Sequence, residues 1–239
     1  MVCKWLNVCP LRELENKGKI SEKWKRDYCE SEDNWENCER YILEEKGVFH
    51  EWILPDGSEM SKLYEPFKER TKFLDFVGVK GKSILDVGAG SGFSSIIAAK
   101  KFGCEVTVIE PFDDKIIEAK KNAEEEGVSE KINFLKGDIT NSGLRDNSFD
   151  YVICYNALHH IKKSLRSKAL KEMFRIAKSG FFISELNERG VYLFDSEVHP
   201  DENHEEIKVS TEWLEKELDN LGEVGKVKKN KLTNYYELR

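Results

Sequence analysis

Ile84-Leu85-Asp86-Val87-Gly88-Ala89-Gly90-Ser91-Gly92-Phe93 runs a short apolar segment into three alternating glycines and then into a helical pattern. Glycine suits such a turn because a ligand can approach the backbone closely and φ can turn positive. The start of the following helix offers unpaired N–H groups to a polar or anionic ligand group. The generic meaning is a nucleotide-type cofactor at the C-terminal edge of a parallel sheet. The register narrows this. A dinucleotide fingerprint counted from Gly88 needs glycine at position 93, where Phe93 stands, and the Gly-Lys-Ser/Thr of a P-loop is absent.

On either side of this turn, from Lys82 onward, short apolar runs alternate with amphipathic segments. The spacing predicts strands at Ser83–Val87, Glu105–Ile109, Ile132–Leu135, Tyr151–Tyr155 and Phe181–Glu185, with helices at Gly92–Phe102, Asp113–Glu126 and Ser167–Ala177. Strict alternation of this kind means a parallel sheet covered on both faces. A long connection, Leu186 to Val209, precedes a helix at Thr211–Leu221. Ser210 is its N-cap, and Trp213, Leu214, Leu218 and Leu221 share one face. Two closing strands are expected near Glu223–Lys229 and Tyr235–Leu238.

Three later segments repeat the logic of the glycine turn. Val106-Thr107-Val108-Ile109-Glu110 ends a strand in an acid 22 residues after Gly88, and Pro111 stops the strand there. Phe134-Leu135-Lys136-Gly137-Asp138-Ile139 ends a third strand, and Phe149-Asp150-Tyr151-Val152-Ile153-Cys154-Tyr155-Asn156-Ala157-Leu158-His159-His160 a fourth. Together with Asp86-x-Gly88-x-Gly90-x-Gly92 and the helix and strand of Leu170–Glu185, these segments resemble the ordered motifs of class I S-adenosylmethionine-dependent methyltransferases. The resemblance covers about Lys82 to Arg239. It implies an α/β, Rossmann-like, seven-stranded, mostly parallel sheet with an antiparallel last strand and helices on both faces.

The same resemblance implies roles for particular residues. Asp86, Gly88, Ala89, Gly90 and Gly92 would form the cofactor turn, with Asp86 orienting it toward the methionine amino group. Glu110, beside Pro111, would accept the ribose hydroxyls. Asp138 would bind the adenine amino group and Ile139 pack on the ring. Tyr155 and Asn156 lie where the fourth strand meets the cofactor. The Asn/Asp-Pro-Pro-aromatic sequence of nucleic-acid amino methyltransferases is missing, since Cys154-Tyr155-Asn156-Ala157 stands there. S-adenosylmethionine carries an activated methyl group, so the implied reaction is an in-line displacement dominated by positioning. A general base is needed only for a protonated acceptor, and His159 is the candidate catalytic residue, with His160 read as packing. The expected acceptor is a small molecule or a protein side chain. Aminopropyl transfer is a rival within the fold, although no acidic polyamine-binding motif stands out. The rival from another class is a non-catalytic cofactor-binding or scaffold protein.

The first 57 residues differ in kind. They carry Cys3, Cys9, Cys29 and Cys38, four of the six cysteines, and helical stretches near Leu11–Asn16 and Ser21–Tyr28. They end at Leu54-Pro55-Asp56-Gly57, a turn signal. Residues 1–57 are thus expected to be a small Cys-rich helical segment and 58–239 the methyltransferase domain. Ser58–Val77 reads as a helix that Pro66 kinks or divides. The cysteine spacing lacks the tight C-x2-C pair of a zinc knuckle. A metal site, holding zinc or an iron–sulfur cluster, and four unligated thiols stand as alternatives. Cys9-Pro10 resembles the ligand dipeptide of some iron–sulfur proteins. In the long connection, His199, Asp201, His204, Glu205 and Glu206 read as a solvated acidic loop rather than a metal site or a substrate lid.

Composition removes other classes. Of 239 residues 39% are hydrophobic and 11% aromatic, enough for a real core, and no uncharged apolar run approaches the roughly 20 residues of a membrane span. The start, Met1-Val2-Cys3-Lys4-Trp5, lacks the continuous apolar stretch of a signal peptide, so a cytoplasmic protein is expected. A net charge of −7 gives no global pull toward nucleic acid or anionic membrane. Lys226, Lys228, Lys229 and Lys231 read as a solvated strand face.

Overall fold

The computed structural model describes residues 2–16, 22–48, 50, 53–57, 65–193, 207–230 and 232–239. By internal contacts the chain divides into two compact units, Met1–Glu69 and Arg70–Arg239.

The first unit is built from short pieces. Helix α1 (Leu11–Asn16), a π-helical turn (Lys25–Cys29), a 3-10 turn (Trp35–Asn37) and helix α2 (Glu39–Glu45) follow one another. Gly57 N–H donates to the Leu54 carbonyl at 2.9 Å, which closes the expected turn. Leu11, Trp24, Cys3, Cys29 and Cys38 are buried, so thiols make up much of this small interior.

Helix α3 (Glu65–Val77) contains the division between the units. Pro66 stands at the edge of its described part. The part of the expected helix before Glu65 lies outside the described residues.

The second unit is one seven-stranded sheet in the order β3-β2-β1-β4-β5-β7-β6. Its strands are β1 (Ser83–Val87), β2 (Glu105–Glu110), β3 (Ile132–Lys136), β4 (Phe149–Tyr155), β5 (Ala177–Leu186), β6 (Val224–Lys229) and β7 (Thr233–Leu238). The first five are parallel, whereas β7 runs antiparallel between β5 and β6. Helices α4 (Phe93–Phe102), α5 (Asp113–Glu125), α6 (Arg166–Ile176), α7 (Glu188–Leu193) and α8 (Thr211–Leu221) connect or follow them.

Alternation along the strands sends successive side chains to opposite faces. On one face Phe181, Ile183, Tyr236 and Leu238 join Leu170, Met173 and Ile176 of α6 and Leu214 and Leu218 of α8 in a single core. On the other, Phe73 of α3 packs on Tyr155 and Tyr235, with ring centroids 5.3 and 5.1 Å away. Truncating a fully buried side chain such as Met173 to Ala costs about 2–5 kcal/mol.

Two of the differences from the sequence expectation have a clear physical reason. β5 begins four residues early, at Ala177, because its start pairs with Phe149 across an irregularity in register that no apolar alternation announces. The Leu186–Val209 connection opens with α7, where the Asn187 side-chain oxygen accepts the Gly190 N–H at 3.0 Å and caps the helix. His199, Asp201, His204, Glu205 and Glu206 lie outside the described residues.

Candidate functional site

Strand order collects the sequence motifs at one edge. β3, β2, β1 and β4 are consecutive neighbours, so Asp138, Glu110, the glycine turn and Tyr155-Asn156 follow one another along their C-terminal ends. The chain leaves β1 toward β2 on one side and reaches β4 on the other. That reversal is the switch point at which open α/β sheets bind ligands.

The three glycines of the turn do different work. Gly88, Gly90 and Gly92 have φ of 67°, 55° and 82°, a region that L side chains rarely adopt. A Cβ on Gly88 would stand 2.8 Å from the Ala157 Cβ, and one on Gly92 2.9 Å from the Ala119 Cβ. A Cβ on Gly90 would meet nothing within 4 Å. The outer two glycines therefore let neighbouring backbone pack, and the middle one borders open space, with Ala89 half-buried beside it.

Two buried carboxylates flank this turn. Asp86, in β1, is 1% exposed and accepts the Ser95 hydroxyl hydrogen at 2.6 Å. Burial pushes its pKa up to about 6, against the pull of Ser95 and of the Arg70 guanidinium. Glu110, the last residue of β2, accepts Gly90 N–H on Oε2 at 3.2 Å and Phe112 N–H on Oε1 at 3.3 Å. Burial raises its pKa as well, and these N–H groups offset part of the rise. Pro111, just beyond it, is exposed.

The surroundings of the other expected cofactor residues follow in strand order. Asp138 is exposed, and its Oδ1 accepts Thr140 N–H at 2.8 Å to cap the 3-10 turn Ile139–Asn141. Ile139 is buried in the core below. The Arg70 guanidinium lies 4.9 Å from the centre of the Tyr155 ring. Asn156 has φ of 48°, strained for a non-glycine residue, and is held there by Ser184. Its N–H donates to the Ser184 carbonyl at 2.8 Å, and its side-chain oxygen accepts the Ser184 hydroxyl at 3.0 Å.

His159 is buried in the 3-10 turn Leu158–His160 after β4. Its Nδ1 lies 2.6 Å from Oε1 of Glu185, and its backbone N–H donates to Oε2 at 3.2 Å. Glu185, at the end of β5, also accepts the Leu186 N–H at 2.9 Å. Arg166 spans the same region, donating to the backbone carbonyls of His159 and Lys208 at 2.9 and 3.0 Å. Sequence reading missed Glu185, Ser95, Arg70 and Arg166. Glu185 had a signal, an acid that closes an apolar strand as Glu110 does. The other three lie on helices, where one polar residue resembles another.

The four cysteines of the first unit are free thiols. Among the described residues no three His, Cys, Asp or Glu side chains converge as ligands of one metal ion. A preformed zinc site at Cys3, Cys9, Cys29 and Cys38 is therefore not seen, because the sulfurs do not close on a single point. No described helix is long and apolar enough to cross a membrane.

Residues 84–180 match the family model described as a methyltransferase domain. Over those residues the chain is similar to a methyltransferase domain, and its sheet has the Rossmann-like fold of class I methyltransferases. The sequence is 31% identical over 101 residues to norajmaline N-methyltransferase of Rauvolfia serpentina, covering 42% of this chain and 34% of the relative. It is 36% identical over 105 residues to a sterol 24-C-methyltransferase of Aspergillus fumigatus, covering 44% of this chain and 27% of that protein. The match thus spans about a third of these curated relatives. A crystal structure of a SAM-dependent methyltransferase from Aquifex aeolicus superposes with a TM-score of 0.58 at 24% identity, over 71% of this chain and 88% of the other. At that identity the likeness shows the shared fold.

Proposed function

We propose that the protein transfers a methyl group from S-adenosylmethionine to a small-molecule acceptor by in-line displacement. One observation carries the reading. The Gly88–Gly92 turn, Glu110, Asp138 and Tyr155-Asn156 occupy consecutive strand ends at the switch point, and the middle glycine faces open space. The donor set fits the cofactor. Backbone N–H groups and a nearby acid suit the amino-acid part, Glu110 suits two ribose hydroxyls, and Asp138 suits an exocyclic amine. When bound, the cofactor supplies an activated methyl on a sulfonium.

The chain's own residues then have positioning roles. The turn and Glu110 fix the cofactor against the sheet edge, and Asp86 holds the turn through Ser95. Asn156, in its strained conformation, marks the acceptor side. His159 takes the proton of an acceptor that arrives protonated. With Nδ1–H donating to the Glu185 carboxylate, Nε2 is the basic nitrogen of the neutral ring. The two relatives named above methylate nitrogen and carbon, so small molecules fit better than proteins while the acceptor atom stays open.

Titration calorimetry with S-adenosylmethionine and S-adenosylhomocysteine is expected to give saturable binding, followed by turnover on small amines or activated carbons. Binding without turnover across such acceptors would leave a scaffold, and no binding would sink the proposal. Glu185→Gln is expected to lower kcat and to move the acid limb of its pH profile, while leaving cofactor affinity unchanged. A kcat lowered equally at all pH values would make the Glu185–His159 pair a structural clamp.

A further inference from the structure

The methyl-transfer reading leaves the four cysteines of the first unit unused, and what surrounds them is unusual. Cys3, Cys29 and Cys38 are 7%, 5% and 6% exposed, and Cys9 is half-buried. Cys3 N–H donates to the Cys29 carbonyl at 2.9 Å, which sets those two residues side by side. Cys9 opens α1, its carbonyl accepting the Arg12 N–H at 2.9 Å. Cys38 is the N-cap residue of α2, and its N–H donates to the Trp35 carbonyl at 3.2 Å. Cys29 lies within electrostatic reach of the other three thiols. Residues spread over the first 38 positions are thus gathered around one small interior.

A buried cation faces the same place. The Arg12 guanidinium acts on Cys29, yet its Nε, Nη1 and Nη2 are buried without a hydrogen-bond partner. Nη1 lies 2.8 Å from Oε2 of the buried Glu15, an ion pair without a hydrogen bond. Glu15 answers part of that charge, and the donors left unspent favour a further anion.

Four thiols around one interior suit zinc or an iron–sulfur cluster, and the two differ in how closely they draw sulfur together. Zn–S bonds of about 2.3 Å draw four sulfurs into a tetrahedron with edges of about 3.8 Å. No three side chains here converge on a single ion. A four-iron cubane binds one thiolate at each iron corner, so its ligand sulfurs stand further apart, and the assembly is anionic. We propose that Cys3, Cys9, Cys29 and Cys38 hold a four-iron, four-sulfide cluster, with Arg12 as its buried counter-cation. The cluster staples a unit whose buried side chains, among the described residues, include few large apolar ones. This inference does not depend on methyl transfer.

The test uses the full chain, purified without oxygen and incubated with ferrous iron, sulfide and a thiol reductant. About four irons and four acid-labile sulfides per chain, with brown absorbance, are expected. Cys9→Ser, at the half-buried ligand, and Cys29→Ser are each expected to lower bound iron at least fourfold. Cys104→Ala, in the other unit, is expected to change nothing. Arg12→Gln is expected to make the cluster's reduction potential more negative, a readout that folding alone does not move. About one zinc and no colour would overturn the proposal. So would metal-free protein with four alkylatable thiols, disulfides among the four, or iron retained in both serine variants.

Discussion

At the start of β1 and β4, Ser83 and Asp150 satisfy each other. Ser83 N–H donates to the Asp150 carboxylate at 3.1 Å, and Asp150 N–H donates to the Ser83 hydroxyl at 2.9 Å. The Ser83 N–H lowers the Asp150 pKa, so this end of the strands favours the charged form. At the far end of β1 and of its neighbour β2, Asp86 and Glu110 are buried and both have raised pKa values. The turn beside them runs through three positive φ values, and Asn156 adds a fourth. One end is built for stability. The other holds strained backbone and costly carboxylates on a rigid sheet, and that cost is what a ligand can relieve.

The largest effect that would break this contrast comes from the turn. Gly88→Val combines a left-handed φ with a Cβ 2.8 Å from Ala157, and is expected to cost about 3 kcal/mol or more in urea unfolding. Gly90→Ala carries only the backbone strain, about 1–2 kcal/mol, because its Cβ meets open space. That variant should instead weaken S-adenosylmethionine binding more than it weakens the fold. Equal losses of stability in the two variants would mean the middle glycine is structural too.

Next comes the pH dependence of the two aspartates, which have opposite signs. The folded pKa of Asp86, about 6, lies above its ordinary 3.8, so the folded state holds that proton more tightly. Its stability is fully present below pH 3.8 and is lost as pH rises through 6, a change of about 3 kcal/mol. Asp86→Asn removes this slope, so unfolding curves of variant and wild type should diverge between pH 4 and 7. For Asp150 the folded pKa is depressed, so its contribution is present above the ordinary carboxylate range and is lost as pH falls through the folded value. Parallel curves for Asp86→Asn and wild type would remove the burial argument.

A smaller change tests the ligand side alone. Glu110→Ala is expected to lose tenfold or more in calorimetric S-adenosylmethionine affinity, since hydrogen bonds to a charged group contribute about 1.5–3 kcal/mol each. Its unfolding midpoint should move little. Unchanged affinity in the folded variant would sink the ribose assignment. The smallest effect belongs to the other end of the strands, where Asp150→Ala should cost about 1 kcal/mol and leave cofactor affinity untouched.

Much of this was legible in the sequence because the decisive signals are local. The glycine turn, the acid closing β2 and the alternating periods each occupy a few adjacent residues, and parallel topology follows from their order. What escaped depended on distance in the chain. Glu185 meets His159 across 26 residues, and Arg70 meets Tyr155 only once α3 packs on the sheet. The irregular start of β5 and the Asn187-capped α7 are set by pairing and capping that no periodicity displays. In the first unit the spacing of the cysteines identified a Cys-rich segment, but the partners of each thiol are fixed by turns too short to leave a pattern.

The position of β7 has a consequence for biosynthesis. All six of its residues are buried, and it lies between β5 and β6, although β6 is made first. Until residues 233–238 emerge, β6 has no neighbour in the sheet, and β5 presents the open edge Phe181–Leu186, which Leu238 through Thr233 later cover. A nascent chain halted at that stage exposes a long apolar strand edge, the kind that pairs with other chains. Pauses in translation just before β7 should therefore cost this protein more soluble yield than pauses at any earlier connection.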